Sequence, residues 1–158
     1  MVDFGVYWPF FSKRDEDWPV DGWRIGRGSR LADLSAGDRL WLFTSGKKCK
    51  KKIEGEGFAD DAIAEAAAYL TQILTVKDIE PDSVGQFDLL INANSKCSPK
   101  VCPPLLIDHL VRPEGADATV SIGKFRQAPW KLRENTVDLL KELLRQKAGQ
   151  VFAAIEWE

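Results

Sequence analysis

The chain has 158 residues, 44% of them hydrophobic, and a formal net charge of -2. That length suits one domain with a sizeable core, and the apolar share argues against disorder. The near-neutral charge argues against a module that grips long duplexes through many phosphates, so any nucleic-acid contact needs a local basic surface.

No apolar run is long enough to span a bilayer, and the N-terminus lacks a basic segment followed by an apolar core. The expectation is a soluble, cytoplasmic protein with no membrane partner. Three cysteines, Cys49, Cys97 and Cys102, are too few and too odd in number for a disulfide framework. Cys-x4-Cys beside a single histidine, His109, is loose for zinc, so neither a metal nor a cofactor is expected.

Val2 to Trp8 reads as a strand that Pro9 ends. Phe10 and Phe11 follow, then the charged stretch Lys13 to Asp17 and the Trp18-Pro19 pair. With Trp23 added, these aromatics are dense enough that at least one is expected to line a pocket. Asp21 to Gly28 is a Gly- and Arg-rich loop, and Ser29 caps a short helix carrying Leu31 and Leu34 on one face. A Gly37-Asp38 turn launches the strand Arg39 to Ser45. Within that strand Trp41 is read as core or outer face. A basic loop, a one-turn helix and an apolar strand in quick succession suggest a small barrel with a ligand mouth.

Lys47 to Gly57 reads as a charged loop and Ala59 to Ala68 as a short helix. Tyr69 to Ile79 alternates as a strand and ends at Glu80-Pro81-Asp82. Phe87 to Ile91 is an apolar run of either type, Asn92 to Pro104 is loop-like, and Leu105 to Val111 is a strand. A turn at Gly115 to Asp117 leads to a strand at Ala118 to Phe125. Asn135 to Ala148 is the clearest helix, with Val137, Leu140 and Leu144 on one face, Asn135 or Thr136 as its cap and Gly149 as its end. Val151 to Trp157 closes the chain as a strand.

Catalytic and phosphate-cradling motifs are missing. Gly26-Arg27-Gly28 is too short for a dinucleotide fingerprint, and His109 has no readable triad partner. Asp60 and Asp61 suit a helix start, and Glu54 and Glu56 lie in a solvated loop. No catalytic residue is assigned, and binding is preferred to catalysis. The basic residues fall into three groups: Lys47, Lys48, Lys50, Lys51 and Lys52; Arg24, Arg27 and Arg30; and Lys124, Arg126, Lys131 and Arg133.

Tyr7-Trp8-Pro9-Phe10-Phe11-Ser12 resembles the opening Tyr-Trp-x-Phe-x-Ser of EVE domains, which belong to the PUA-like superfamily with ASCH and YTH domains. Asp21-Gly22-Trp23-Arg24 is similar to that family's Asp-Gly-Val-Arg, and the spacing onward to Gly37-Asp38 fits without a gap. Leu40 to Ser45 resembles its apolar strand ending in Ser, and Tyr69 to Asp82 falls where the next barrel strand would lie. Gln127-x-Pro129 is a fainter echo. Ile25 and Gly28 depart from the family's polar residues at those places.

The resemblance implies an α+β fold: residues 1–158 as a single PUA-like domain, a small mixed β-barrel with short flanking helices and one longer C-terminal helix. It further implies a module that takes a base, often a modified one, into an aromatic-lined pocket of DNA-, RNA- or nucleotide-binding type. The pocket would comprise Trp8, Phe10, Trp18, Trp23, Thr44 and Ser45. Lys13, Arg14, Arg24, Arg27, Lys47 and Arg126 would meet phosphate. Arg24 has the competing role of pairing with Asp21 or Asp38. Two alternatives stay open: an ASCH-type enzyme on RNA or a nucleoside, using Lys13 or a nearby Lys with a carboxylate, and a domain whose exposed aromatics dock protein.

Overall fold

The computed structural model describes residues 2–9, 11, 18–56, 67–85, 87–107 and 129–148. Of the helix predicted at 59–68, positions 59–66 lie outside these residues and Ala68 is already strand; the turn at 115–117, the strands at 118–125 and 151–157 and the C-terminal part of the strand expected at 105–111 also lie outside them.

Seven strands and two α-helices form a mixed α+β fold among the described residues. The strands are β1 (Asp3–Tyr7), β2 (Gly22–Ile25), β3 (Arg39–Ser45), β4 (Ala68–Pro81), β5 (Leu89–Ala93), β6 (Lys100–Leu106) and β7 (Trp130–Lys131). The helices are α1 (Gly46–Glu56) and α2 (Glu134–Ala148), and single 3-10 turns occupy Arg30–Asp33 and Ser95–Cys97. The sheet runs in the order β2-β5-β4-β3-β1-β7, with β6 paired to β4 off this path. Its two ends do not meet among the described residues, so the barrel expected from the sequence is an open sheet there.

β3 sits at the centre, parallel to β1 and antiparallel to β4. Successive side chains of a strand point to opposite faces. Leu40 and Leu42 accordingly enter one core, while Trp41 and Phe43 enter the other. The Trp41 core is closed by Val137, Leu140 and Leu144 of α2. The Leu40 core holds Trp8, Phe11, Trp18 and the 3-10 turn residues Leu31 and Leu34. Ser29 caps that turn as expected, its hydroxyl accepting from Leu31 N at 3.2 Å.

β4 also lines both cores, and a bulge changes which of its residues face each one. Leu42 faces Gln72 but Phe43 faces Leu70, so Thr71 is one residue too many. Before it, Leu70 packs in the α2 core; after it, Ile73 does, and the parity has flipped. A second irregularity between Val76 and Asp78 redirects the C-terminal half of β4 onto β5.

Polar side chains fasten the N-terminal edge. Asp3 Oδ1 accepts from Arg39 Nε at 2.7 Å and from Trp41 Nε1 at 2.8 Å, so Trp41 has a polar partner as well as a core position. Asp38 accepts from Val2 N and Ser35 N, both at 2.9 Å. Nearby on α2, burial and then the Arg39 charge hold the Lys141 ammonium below its ordinary range.

Four expectations change. Asp21 to Gly28 is a strand, β2, in its middle, since it pairs with β5 from Gly22 to Ile25. Lys47 to Gly57 is a helix as far as Glu56, with Cys49 and Lys52, three apart, on its buried side. Asn92 to Pro104 holds the end of β5, a 3-10 turn and most of β6. Helix α2 starts at Glu134, which puts Asn135 and Thr136 inside the first turn.

Gly37 has φ near +93°, a conformation costly to side chains, with open space where a Cβ would lie. Gly37→Ala should therefore destabilise by about 1–3 kcal/mol through backbone strain alone. Gly28→Ala, equally uncrowded and without positive φ, should stay within about 0.5 kcal/mol. Urea unfolding midpoints of the two variants measure the contrast.

Candidate nucleic-acid interface

The aromatic segment is anchored at the bulge of β4. Trp18 Nε1 donates to the Thr71 carbonyl at 2.9 Å. Phe11 meets Trp8 edge-on at 4.8 Å between ring centroids and Trp18 at 4.9 Å. Two residues after Trp18, Val20 is gripped by Gln72. Its N–H donates to Oε1 at 2.8 Å, and its carbonyl accepts from Nε2 at 2.9 Å.

Lysines from two further elements converge on these aromatics. Lys48 of α1 donates Nζ to the Pro9 carbonyl at 2.6 Å. Lys100, the first residue of β6, holds its ammonium 5.0 Å from the Trp18 ring centroid, a cation–π contact. Lys47 and Lys51 are exposed on α1, whereas Lys52 is 4% exposed. Ser45, half-buried, ends β3 where α1 begins.

The predicted pocket residues fall into two groups. Trp8 (2% exposed), Trp18 (8%) and Thr44 (0%) are interior, and Thr44 Oγ1 lies 3.3 Å from Thr71 Oγ1. In this conformation packing covers their faces. Trp23 is half-buried on β2 and packs against the same core cluster as Trp8, Phe11 and Trp18. Phe10, Lys13, Arg14 and Arg126 lie outside the described residues.

Arg24 pairs with neither Asp21 nor Asp38. Its Nε lies 3.3 Å from Asp82 Oδ2, across the β2–β5–β4 sheet, and its side chain stays 41% exposed. Arg27 is exposed, and its backbone N–H donates to Asp88 Oδ2 at 3.0 Å. Arg30 is taken up structurally, its guanidinium lying 4.8 Å from the Trp130 ring centroid and donating to the Pro129 carbonyl.

No family model, curated protein or solved structure matches this chain. Its chemistry is therefore argued from its own residues. Among the described residues no three His, Cys, Asp or Glu side chains gather to hold a metal ion, and His109 lies outside them. No helix among them is long and apolar enough to cross a membrane. What these residues leave at the surface is the half-buried Trp23 ring, the half-buried Ser45 and the exposed Lys47 and Lys51.

Gln72 and Lys100 carry more of the site than the sequence suggested. Gln72 is a polar residue inside an apolar strand, a readable signal. Lys100 sits in a stretch read as loop, where nothing marked it.

Gln72→Leu should destabilise by about 1–3 kcal/mol, because the Val20 N–H and carbonyl lose their buried partners. Chemical denaturation against wild type measures it. Burial pushes the Cys49 thiol from its ordinary 9.0 up to about 12. The unfolded thiol ionises first, so this site's stabilising effect is complete below pH 9 and is lost as pH climbs toward 12. Relative to Cys49→Ala, wild-type stability should be flat below that range and fall within it. In native protein, half-buried Cys97 should react with a thiol reagent well before Cys49.

Proposed function

We propose that this chain is a PUA-like domain that binds nucleic acid or a nucleotide, seating a base against an aromatic face with phosphates on nearby basic side chains. The observation that carries the reading is the convergence of Lys48 and Lys100, from α1 and β6, on the Trp8–Phe11–Trp18 segment. Basic groups interleaved with aromatics provide both terms of single-strand binding, charge and stacking. The twice-irregular β4, which bends between two sets of partner strands, supports the barrel part of the reading, since bulges are how sheets curve toward closure.

Within the proposal Trp23 is the stacking face, because it is half-buried where Trp8 and Trp18 are covered. Trp8 and Trp18 shape the floor beneath it. Ser45 offers a hydroxyl to a base edge, while Lys47 and Lys51 face the backbone. Arg24 and Arg27 add cations along β2 and the loop after it.

A second reading, an ASCH-type enzyme, has one observation in its favour. Lys52 is nearly fully buried, and buried lysines are rare outside specific roles. Release of product from RNA or nucleosides, lost in Lys52→Met, would favour it.

The test is titration of short single strands, with and without base modifications, read by Trp fluorescence at two salt concentrations. Binding should weaken steeply with salt. Trp23→Ala should lower affinity by about 1–3 kcal/mol with the melting temperature nearly kept. Absence of binding to every strand overturns the reading, and unfolding of Trp23→Ala removes Trp23 from it.

A further inference from the structure

The largest exposed apolar side chains among the described residues include two in one place. Val84 is 62% exposed and Phe87 is 52% exposed, both in the connection between β4 and β5. This connection is a built structure. Asp82 N donates to the Asp88 carbonyl at 3.1 Å, and Gly85, with φ near +80°, donates to the Asp82 carbonyl at 3.1 Å. The Asp82 carboxylate accepts from Val84 N on one oxygen and from Phe87 N on the other, each at 3.2 Å.

The oxygen that holds Phe87 N also receives Arg24 Nε. One buried carboxylate oxygen thus ties the Phe87 backbone and the part-exposed Arg24 guanidinium to the same spot. Arg27 is tied there as well, through its N–H on Asp88 Oδ2. The Asp82 side chain is fully buried, whereas Asp88 is exposed.

We infer that this hairpin tip is a second contact for single-stranded nucleic acid, with Phe87 stacking on an unpaired base and Arg24 and Arg27 meeting the flanking phosphates. The inference rests on the nucleic-acid reading above and adds Phe87, which that reading does not use. Two apolar side chains are too small an area for a stable protein interface. An exposed ring whose backbone shares a carboxylate oxygen with the Arg24 guanidinium matches the pairing of base and phosphate in a strand.

The experiment is fluorescence anisotropy of a fluorescein-labelled short single strand with the full chain. Phe87→Ala should weaken binding about tenfold with the melting temperature unchanged. Phe87→Trp should bind within about twofold of wild type, and its added indole should be quenched by the strand. Arg27→Gln should lower the salt slope by about one. If wild type binds and Phe87→Ala binds equally well, the tip plays no part and the inference falls while the nucleic-acid reading stands. If wild type binds no strand, that reading fails and this one with it. Loss of self-association in Phe87→Ala, seen by sedimentation with strand binding unaltered, would make the tip a protein contact and overturn the inference.

Discussion

Thr71 is one residue more than β3 has room for, and much of the molecule follows from where that extra residue goes. Its hydroxyl turns back to the Leu42 carbonyl at 3.0 Å, and its own carbonyl is released from the ladder to accept the Trp18 indole. The next residue, Gln72, is thereby set to grip Val20 on both sides and to reach the Ser98 carbonyl. A bulge leaves backbone groups unpaired, and unpaired groups in a core must find partners. Here the partners come from the aromatic segment. The irregularity that switches which β4 residues face each core is the same one that docks Trp18 beside Trp8 and Phe11.

That dependence explains which parts of the fold were legible in the sequence. β3 was read with its true bounds because its pattern needs no partner to interpret: a glycine turn, then seven residues, apolar from Leu40 to Phe43. Ser29 and the apolar face of α2 were legible for the same local reason. Helix α1 was not. Gly46, Gly55 and five lysines look like a loop, and its helicity rests on tertiary facts: Cys49 fits the Leu40 core, and Gly46 N donates to the Ala67 carbonyl. Only the Leu105–Leu106 end of β6 was read as strand, because Pro103 and Pro104 argue locally against one, whereas β6 pairs with β4 at Lys100, Leu105 and Leu106.

The site was harder to read than the fold. A tryptophan's role depends on which way its face is turned, and composition does not say. Trp8 and Trp41 are both fully covered, yet one lies in each core, because they stand on different faces of the sheet. Trp23 is left half-buried because β2 lies at one end of the strand order. Arg24 was assigned aspartate partners close in sequence. The partner it takes, Asp82, lies far along the chain and comes within reach only because β5 joins β2 to β4. Pairings of this kind are set by strand order, which a single sequence does not display.

Charge balance decides how any polyanion would meet this surface. Asp3, Asp38 and Asp82 are directed inward onto backbone or cationic donors, and Arg39 and Lys52 are directed inward too. These nearly cancel, so the exposed surface keeps about the formal charge of the whole chain, close to neutral. Long-range attraction is then weak, and a screening length of about 8–10 Å confines each cationic group to its own neighbourhood. In the proposed reading, affinity arises where cations and aromatic residues coincide, at Lys48 and Lys100 beside the aromatic segment and at Arg24 near Phe87. A protein of this charge recognises by placement, and placement here is set by single carbonyl and carboxylate oxygens: Pro9 O for Lys48, Thr71 O for Trp18, Asp82 Oδ2 for Arg24.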